Sequence, residues 1–485
     1  MDEKLNALFN PKSIAVIGAS PDPSKLSNAI FKRLIDNARK GLLKASVYPV
    51  NPKYERIEGR KVYPSVLDIE GEVDLVIVTV PAEIVPEVLE EAGEKGVKAA
   101  IVISGGFAEA GRKDLEDRIS EVVRKYELRV LGPNTVGLVD TYSGVDTLFT
   151  PRIKRTERGE ELVNVLELKR GNVAIIAQSG ALGVSIADCL TEENVGIRAF
   201  VSVGNQLDIS VEELLEYFSE DDRTRVVMLY LEGVRDGRSF VEKARLASSR
   251  KPVIVLKAGK TDVGVKSALS HTASIAGDIE VYKGVFKQAG LIEAEDLEEF
   301  MDFGKVYSMQ RPSRGGRLFI LSNSGGMIVI ASDAASLYGL QMPPLSEERL
   351  SELEELKRKG IIPKFVSLSN PLDLTASVST EGFIRTFEVI SQDPNYDMFL
   401  IIPVHSTPTL NERAIREIAK IAKEREKAVA ICEVGGSPWS KLFRRISNEC
   451  GIPSYPTPER AIRALHALTL YSGAKEDRAA LKELI

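Results

Sequence analysis

The sequence predicts an α/β protein made of three consecutive doubly wound domains of the Rossmann or flavodoxin-like type. Two observations support this prediction. Short, β-branched apolar runs alternate with amphipathic stretches along most of the chain, and this alternation is typical of parallel sheets covered by helices on both faces. The chain also has 485 residues, which is more than one hydrophobic core normally serves.

The first predicted domain, residues 1–140, contains five apolar runs with the composition of buried strands. They are SIAVIGAS, ASVYPVNP, VDLVIVTVP, AAIVISGG and LRVLGPN. Stretches with helical spacing, such as NAIFKRLIDNA and AEIVPEVLEEAGEKG, lie between them. Because parallel sheets of this kind bind ligands at the carboxyl ends of their strands, functional residues are expected just after these runs.

Two further domains follow a polar segment, residues 141–171, which is basic in its middle and is expected to contain an extra hairpin. Residues 172–309 form the second predicted domain, and the break QRPSRGGR separates it from the third, residues 316–470. A tail covers residues 471–485. The second and third domains both open with a strand, a Ser-Gly pair and a helix, which is a weak internal repeat.

Composition excludes several classes of function. The net charge is −6, and no basic block interrupts the chain, so nucleic acid is not an expected partner. The acidic start MDEKLNALFNPKS lacks the apolar region of a signal peptide, and no apolar run approaches the ~18 residues of a membrane span. The three cysteines are far apart and form no Cys-x-x-Cys pair. These features predict a cytoplasmic protein with no membrane partner.

The turn after the first strand is predicted to hold the phosphates of a ligand. Gly18 ends the strand, and the helix that follows presents free backbone N–H groups. A nicotinamide site would need G-x-G-x-x-G and a carboxylate about 20 residues later. Here Ala19 and Ser20 follow Gly18, while the second strand ends near Asn51 and Lys53. The pattern favours phosphates and a purine, although a plain strand–helix turn without a ligand remains the alternative.

Two Ser-Gly turns are predicted anion sites, because each opens a helix directly after a strand. Unpaired N–H groups and the positive end of the helix dipole favour a negative charge there. A single turn of this kind is ordinary helix-start chemistry, but two that converge would form a phosphate clamp supplied by two domains. The candidate residues are Ser179, Gly180 and Ala181 in the second domain and Asn323, Ser324, Gly325 and Gly326 in the third.

His271 stands in SALSHTASIAGD, among small residues that would let a loop move. No second metal ligand lies nearby in sequence, so no metal site is predicted on this chain. A neutral imidazole is a good nucleophile towards phosphorus once its other nitrogen is held by a carboxylate or a carbonyl. Glu232, at the end of a predicted strand, could provide that carboxylate, although most glutamates are simply solvated. His405 and His466 are interpreted as ordinary surface or packing residues.

Taken together, these motifs resemble the NDP-forming acyl-CoA synthetases, the family that includes succinyl-CoA synthetase. SIAVIGAS, GPN, QSGALG, SVGNQ, LKAGK, SHTASIAGD and LSNSGG occur in the family's order over nearly all 485 residues. The arrangement is similar to the α subunit of archaeal-type ADP-forming acetyl-CoA synthetases. One departure is Thr135, where the family commonly has Cys after GPN, and another is the long segment 141–171.

The resemblance implies a CoA-binding domain, a phosphohistidine domain and a third, flavodoxin-like domain. It implies that His271 is phosphorylated, that Glu232 orients it, and that the two Ser-Gly helices clamp the phosphate. Coenzyme A would bind as a substrate. The residues implied in its binding are Gly18, Ala19, Ser20, Pro23, Lys25, Asn51, Pro52, Lys53, Val80, Pro81 and Asn134.

The reaction implied by the resemblance is acyl-CoA + phosphate + ADP ⇌ carboxylic acid + CoA + ATP. No ATP-grasp module occurs before Ile485. ADP or ATP and Mg²⁺ are therefore expected on a separate ATP-grasp β subunit, in an α2β2 complex. The sequence leaves the acyl group open.

Three alternatives are weighed against this interpretation. A CoA-binding regulator of the same fold would be expected to have a damaged His loop or no Glu232, and neither is seen. A nicotinamide-dependent dehydrogenase lacks its fingerprint here. A protein acyltransferase would need an additional domain.

Overall fold

The computed structural model describes the backbone of residues 3–271 and 278–483, and the side chains of residues 3–266 and 278–471. Within it the chain divides into two compact units, Met1–Glu295 and Asp296–Ile485. Among the described residues, every helix is too short or too polar to cross a bilayer.

The first unit begins with a parallel sheet of five strands in the order β2-β1-β5-β6-β7. Every residue of β1, β5 and β6 is buried, which explains their unbroken apolar runs. Strands β2 and β5 lie on opposite sides of β1. The connections that follow β1 and β2 therefore run in opposite directions along the sheet, and a crevice opens where these strands end. The strands are β1 (Ser13–Ile17), β2 (Ser46–Val50), β5 (Leu75–Val78), β6 (Ala99–Val102) and β7 (Arg129–Leu131), with β3 (Arg56–Ile57) and β4 (Arg60–Lys61) as a separate antiparallel pair. The helices are α1 (Glu3–Phe9), α2 (Leu26–Arg39), α3 (Val85–Glu94) and α4 (Lys113–Tyr126).

A second sheet in the same unit has the order β15-β14-β13-β11-β12-β8, and β8 (Leu138–Asp140) pairs antiparallel with β12. One hydrophobic core includes residues from both sheets, for example Ile101 of the first and Ile176 of the second. The other strands are β11 (Arg170–Ala177), β12 (Ile197–Ser202), β13 (Val226–Leu231), β14 (Val253–Lys257) and β15 (Ile292–Glu293). The helices are α5 (Gly180–Glu192), α6 (Val211–Glu220), α7 (Gly237–Arg250), α8 (Asp262–His271) and α9 (Ile279–Ala289).

The segment 141–171 contains the expected hairpin, formed by β9 (Ile153–Arg155) and β10 (Glu161–Val163). A buried ion pair attaches this segment to α2. Arg33 lies 2.7 Å from Asp146 and also donates to the Thr150 carbonyl, while Arg152 reaches the same carboxylate at 3.0 Å. The segment is therefore packed against α2, in the helical layer of the first sheet.

The second unit contains a parallel sheet in the order β17-β16-β18-β19-β20. Its strands are β16 (Leu318–Ser322), β17 (Leu372–Asp373), β18 (Met398–Ile402), β19 (Ala428–Cys432) and β20 (Ser454–Tyr455). The helices are α10 (Leu297–Met309), α11 (Gly325–Leu337), α12 (Glu347–Arg358), α13 (Thr380–Ile390), α14 (Arg413–Glu424), α15 (Pro438–Glu449) and α16 (Pro458–Glu483). In this sheet β16 lies between β17 and β18, and in the second sheet β11 likewise lies between β12 and β13, so the predicted α/β fold class is confirmed.

Helix α10, which the sequence groups with residues 172–309, lies in the second unit. The buried Asp302 of α10 receives two hydrogen bonds from Arg460 of α16, at 2.8 and 2.9 Å. Tyr307 of α10 also donates to the Ala467 carbonyl of α16. Such long-range polar contacts cannot be deduced from local periodicity, and the domain bounds 172–309 stay a prediction.

Candidate functional site

The first candidate site lies at the carboxyl ends of β1, β2 and β5. Gly18 follows β1 with φ +86°, a left-handed backbone that suits glycine. A Cβ at this position would lie 2.8 Å from the Thr79 side-chain oxygen. Glycine therefore allows the turn to approach the end of β5, where Val80 and Pro81 follow.

Hydrogen bonds hold the predicted residues of β1 and β2 together. Asn51 donates to the Ala19 carbonyl at 2.9 Å and accepts from the Lys53 N–H at 3.0 Å. Asn28 of α2 donates to the Ser20 carbonyl at 2.9 Å. The turn and the second strand end thus form one fixed surface, as the sequence predicts from their positions.

The charged residues around this surface are exposed. Lys25 is the N-cap residue of α2, and its side chain makes no capping hydrogen bond. Lys25, Lys53, Pro23 and Pro52 are all exposed to solvent. Lys25 thus places a cationic side chain at a helix N-terminus, an arrangement suited to the phosphates of a nucleotide-like ligand.

Asp22, which the sequence analysis did not single out, shapes this loop. Its carboxylate accepts from the backbone N–H and the hydroxyl of Ser24, at 2.9 and 2.8 Å, and these bonds lower the pKa of Asp22. Asn134, in contrast, follows β7 with φ +59°, and its side chain donates to Asn205 at 3.3 Å. Its side chain thus contacts the loop after β12, and its N–H donates to the Ser104 carbonyl after β6 at 2.9 Å.

Glu232 directly follows β13 and is only 6% exposed. Gln178, just after β11, fixes the backbone here, because its side chain accepts from the N–H groups of Glu232 and Gly233 and donates to the Gly233 carbonyl at 2.7 Å. Glu232 is therefore buried rather than solvated, and its backbone is held at the carboxyl edge of the second sheet.

Sequence reasoning missed Lys257 and Tyr230, which lie beside Glu232, and Tyr282, which contacts Lys257. Lys257, at the end of β14, is 1% exposed and donates to the Glu232 carbonyl at 2.8 Å. Burial lowers the pKa of Lys257, and the nearby Glu232 charge opposes this effect. The pKa of Tyr230 is raised mainly by burial. The nearby charge of Glu232 and a hydrogen bond to Glu232 raise it further. The Lys257 ammonium also lies 4.6 Å from the centre of the Tyr282 ring. The motif LKAGK was the available signal for this buried lysine.

The first Ser-Gly turn opens α5. Its N-cap residue, Ser179, makes no side-chain capping hydrogen bond, so the first N–H groups of the helix receive no acceptor from that hydroxyl. A Cβ on Gly180 would lie 2.5 Å from the Val136 side chain, and Ala181 is exposed. The turn thus presents backbone rather than side chain at a helix N-terminus.

The second Ser-Gly turn opens α11 in the other unit. Ser324 is the N-cap residue and again makes no side-chain capping bond, while Gly325 and Gly326 are exposed. The Asn323 side chain accepts from the Val404 N–H at 2.7 Å and donates to the Val404 carbonyl at 3.1 Å. The amide of Asn323 therefore joins the ends of β16 and β18, in addition to the phosphate role predicted for it.

His271 is the last residue of α8, and its side chain, together with residues 272–277, lies outside the described residues. Its phosphorylation and its pairing with Glu232 remain predictions. His466 packs against Tyr338, with ring centres 5.3 Å apart, and burial lowers its pKa. This agrees with the packing role expected from sequence.

Comparison with known proteins identifies the family. Residues 12–141 match the model of a CoA binding domain, and residues 170–307 match that of a succinyl-CoA ligase like flavodoxin domain. The chain is 41% identical to the acetate–CoA ligase [ADP-forming] I subunit alpha of Pyrococcus furiosus, over 96% of this chain and 98% of that protein. The chain belongs to the ADP-forming acetate–CoA ligase family.

Other members of this family show the same relationship. The chain is 38% identical to acetate–CoA ligase [ADP-forming] I of Archaeoglobus fulgidus, over 97% of this chain and 64% of that longer protein. A solved structure of the dinucleotide forming acetyl-coenzyme A synthetase 1 of Ca. Korarchaeum cryptofilum, in complex with phosphate and ADP, superimposes with a TM-score of 0.88. It is 35% identical and covers 99% of both chains. These relatives carry ligase names, which supports the catalytic interpretation over the regulatory one.

Proposed function

We propose that this chain is the α subunit of an ADP-forming acyl-CoA synthetase and acts with a partner subunit on acyl-CoA, phosphate and ADP. The observation that carries the proposal is the 41% identity, over nearly the full length of both chains, to a protein named as such a subunit. The chain's own geometry supports it through the buried Glu232 and two helix N-termini without a side-chain cap.

In the first step, acyl-CoA binds at the ends of β1, β2 and β5, with Lys25 and Lys53 near its phosphates. An oxygen of inorganic phosphate attacks the thioester carbonyl carbon. The C–S bond breaks, CoA leaves as its thiolate and takes up a proton, and acyl phosphate forms. Helix N-termini suit this step because their N–H groups stabilise negative charge without a metal.

In the second step, a ring nitrogen of His271 attacks the phosphorus of acyl phosphate. The bond from phosphorus to the acyl oxygen breaks, so the carboxylate leaves and phosphohistidine forms. The role proposed for Glu232 is to accept a hydrogen bond from the other ring nitrogen and support the developing positive charge. The transition state of phosphoryl transfer is highly charged, so the protein acts mainly through positioning and electrostatics.

In the third step, the terminal phosphate oxygen of ADP attacks the phosphohistidine and the P–N bond breaks, which gives ATP and free His271. We assign ADP and Mg²⁺ to an ATP-grasp β subunit and expect an α2β2 complex. In this proposal His271 carries the phosphoryl group from the first site to the nucleotide.

The proposal is tested by purifying the native complex and assaying a panel of acyl-CoAs with phosphate and either ADP or GDP. We expect ATP or GTP formation that depends on phosphate and acyl-CoA together, and the panel then identifies the acyl group. If no acyl-CoA in the panel supports nucleoside triphosphate formation by the intact complex, the proposed reaction is wrong.

A further inference from the structure

Lys257 is a buried cation that the proposed reaction does not use. It is the last residue of β14, a strand that is otherwise apolar, and it is only 1% exposed. Taking an ammonium group out of water is costly unless the protein supplies partners for it. The identity of these partners therefore indicates what the lysine does.

Backbone carbonyls and an aromatic ring hold the Lys257 ammonium. It donates to the Glu232 carbonyl at 2.8 Å and also to the carbonyl of Ala258. The centre of the Tyr282 ring lies 4.6 Å away, a distance at which a cation is attracted to a ring face. The Tyr282 hydroxyl accepts from the Val234 N–H at 3.2 Å, which attaches the ring to the loop after β13. The cation is thus held in one place, against the residue that directly follows β13.

Glu232 is held from both neighbouring strands. β13 lies between β11 and β14, and Leu231, the residue before Glu232, pairs with Lys257. On the β14 side, Lys257 donates to the Glu232 carbonyl. On the β11 side, the side chain of Gln178 accepts from the Glu232 N–H. Both backbone groups of this glutamate are therefore bound by side chains.

The charges of Lys257 and Glu232 also act on each other. Burial lowers the pKa of Lys257, the negative charge of Glu232 opposes this effect, and the charge of Lys260 adds to it. Two tyrosines lie beside the pair, Tyr282 against the ammonium and Tyr230 with a hydrogen bond to Glu232. Because coupling between two sites is reciprocal, the ammonium favours a negative charge on Glu232 to the same extent. This effect opposes burial, which by itself favours a neutral carboxyl group.

We propose that Lys257 is a positioning residue for Glu232: its ammonium holds the Glu232 carbonyl and keeps the buried carboxylate in its charged form. The effect of Lys257 on catalysis rests on the proposed function, in which a charged Glu232 accepts a hydrogen bond from the ring of His271 and supports its positive charge. The coupling between the two charges does not depend on that function.

A purely structural lysine, which only satisfies carbonyls at a strand end, is the alternative. Lys251, at the other end of β14, provides a matched comparison. It is partly buried, and its ammonium donates to the carbonyls of Phe218 and Asp221. Loss of Lys251 removes the same kind of hydrogen bonds without removing a charge next to Glu232.

The first experiment measures the coupling of the two charges on the full chain and needs no activity. Lysine labelled with ¹⁵N at Nζ is incorporated, and the NMR signals are followed as the pH is raised. K257R, which keeps a positive charge, identifies the Lys257 signal by its loss. The midpoint of the Lys257 titration should fall by about one pH unit in E232Q, because the charge that opposes the effect of burial is gone. An unchanged midpoint in E232Q overturns the inference.

The second experiment measures the single-turnover rate of phosphohistidine formation in the intact complex, with ATP labelled in its terminal phosphate. K257M should lower this rate about tenfold, the effect of a coupling near one pH unit, and should leave KM for acyl-CoA unchanged. K257R should recover part of the rate, and K251M should match the wild-type complex. A wild-type rate in K257M, or equal slowing in K251M, contradicts the role proposed for Lys257.

A double variant decides whether Lys257 acts through Glu232. In E232Q no carboxylate charge remains to be maintained, so E232Q/K257M should form phosphohistidine at the same rate as E232Q alone. A further tenfold loss in the double variant contradicts the inference. If K257M does not fold, the NMR comparison of E232Q with the wild-type chain still decides. A wild-type complex that forms no phosphohistidine contradicts the proposed function, and the NMR titration then tests the charge coupling by itself.

Discussion

Gly18 illustrates how one residue combines backbone conformation with ligand access. A side chain there meets two penalties, a left-handed backbone and a 2.8 Å contact with Thr79. Gly18→Ala should lower the free energy of unfolding by about 1 kcal/mol from the backbone alone, and should also weaken CoA binding because the turn must move away from β5. Gly41→Ala is the matched control, since Gly41 has φ +72° and open space around its Cβ. Calorimetry with CoA should show loss only in Gly18→Ala, and equal CoA affinity in both variants would disprove a role for the close approach.

Glu232 is a buried carboxylate whose proposed role is to orient the ring of His271. Glu232→Gln keeps the size of the side chain but removes the charge that would support an imidazolium on His271. We expect phosphohistidine formation to slow roughly hundredfold, with CoA binding unchanged. Glu293→Gln, at a partly buried glutamate in the same sheet, serves as the control. Rapid-quench measurement of single-turnover phosphorylation provides the rate, and an unchanged rate in Glu232→Gln would mean that another group orients the ring.

His271 carries the covalent step of the proposed cycle. When the complex is incubated with ATP labelled in its terminal phosphate, label should appear on this chain in an acid-labile, base-stable form, because phosphohistidine has those properties. His271→Ala should remove the label, while His466→Ala, at a histidine that packs on Tyr338, should retain it. Label that persists in His271→Ala would show that the phosphorylated residue lies elsewhere.

At the scale of elements, the sequence repeat corresponds to a repeated hydrogen-bond arrangement. In the second sheet, the side chain of Gln178, just after β11, makes hydrogen bonds to the backbone of Gly233, after β13. In the third sheet, the side chain of Asn323, just after β16, makes the same kind of hydrogen bonds to the backbone of Val404, after β18. The repeated Ser-Gly pair is a local pattern and is therefore visible in the sequence. It correctly predicted that a helix begins at each of the two turns.

Contacts between distant segments could not be predicted in this way. The placement of α10 depends on Asp302 and Arg460, which are 158 residues apart. The surroundings of Glu232 depend on Lys257 from the next strand, and those of His405 on Glu433 and Ser440. The motifs identified which residues mark the strand ends, but only the tertiary fold determines which buried groups meet there.

A buried arginine contributes to the attachment of the long segment 141–171, together with other contacts such as the hydrogen bond from Asn37 to the Gly144 carbonyl. Arg33 is 4% exposed and pairs with the equally buried Asp146. Arg33→Met should lower the free energy of unfolding by about 3 kcal/mol, since it leaves a buried carboxylate whose remaining cation is Arg152. Arg39→Met, on the same helix but with a side chain 60% exposed, should change stability little. Urea unfolding followed by circular dichroism measures both variants, and equal midpoints would show that the Arg33 pair does not stabilise the segment.

At the scale of the whole molecule, the described residues include those proposed to bind CoA and anions but lack other parts of a nucleotide site. The Ser-Gly turns have no Gly-Lys-Ser/Thr sequence of a P-loop. Within the described side chains, no cluster of three or more carboxylates, histidines or cysteines is suited to a metal ion. The proposed cycle assigns ADP and Mg²⁺ to a second protein, and full turnover then requires both proteins.

This requirement leads to a prediction about the separated chain. The purified 485-residue chain should bind CoA and exchange acyl-CoA with phosphate slowly, because the CoA site and both anion-binding turns belong to it. It should form no ATP from acyl-CoA, phosphate and ADP, since phosphohistidine has no nucleotide to attack it. Addition of the ATP-grasp β subunit should restore full turnover, and light scattering should show an α2β2 complex. The control is His271→Ala, which should assemble with the β subunit but remain inactive. ATP synthesis at full rate by the chain alone would place the nucleotide site on this subunit. It would contradict the proposal that ADP binds to the β subunit.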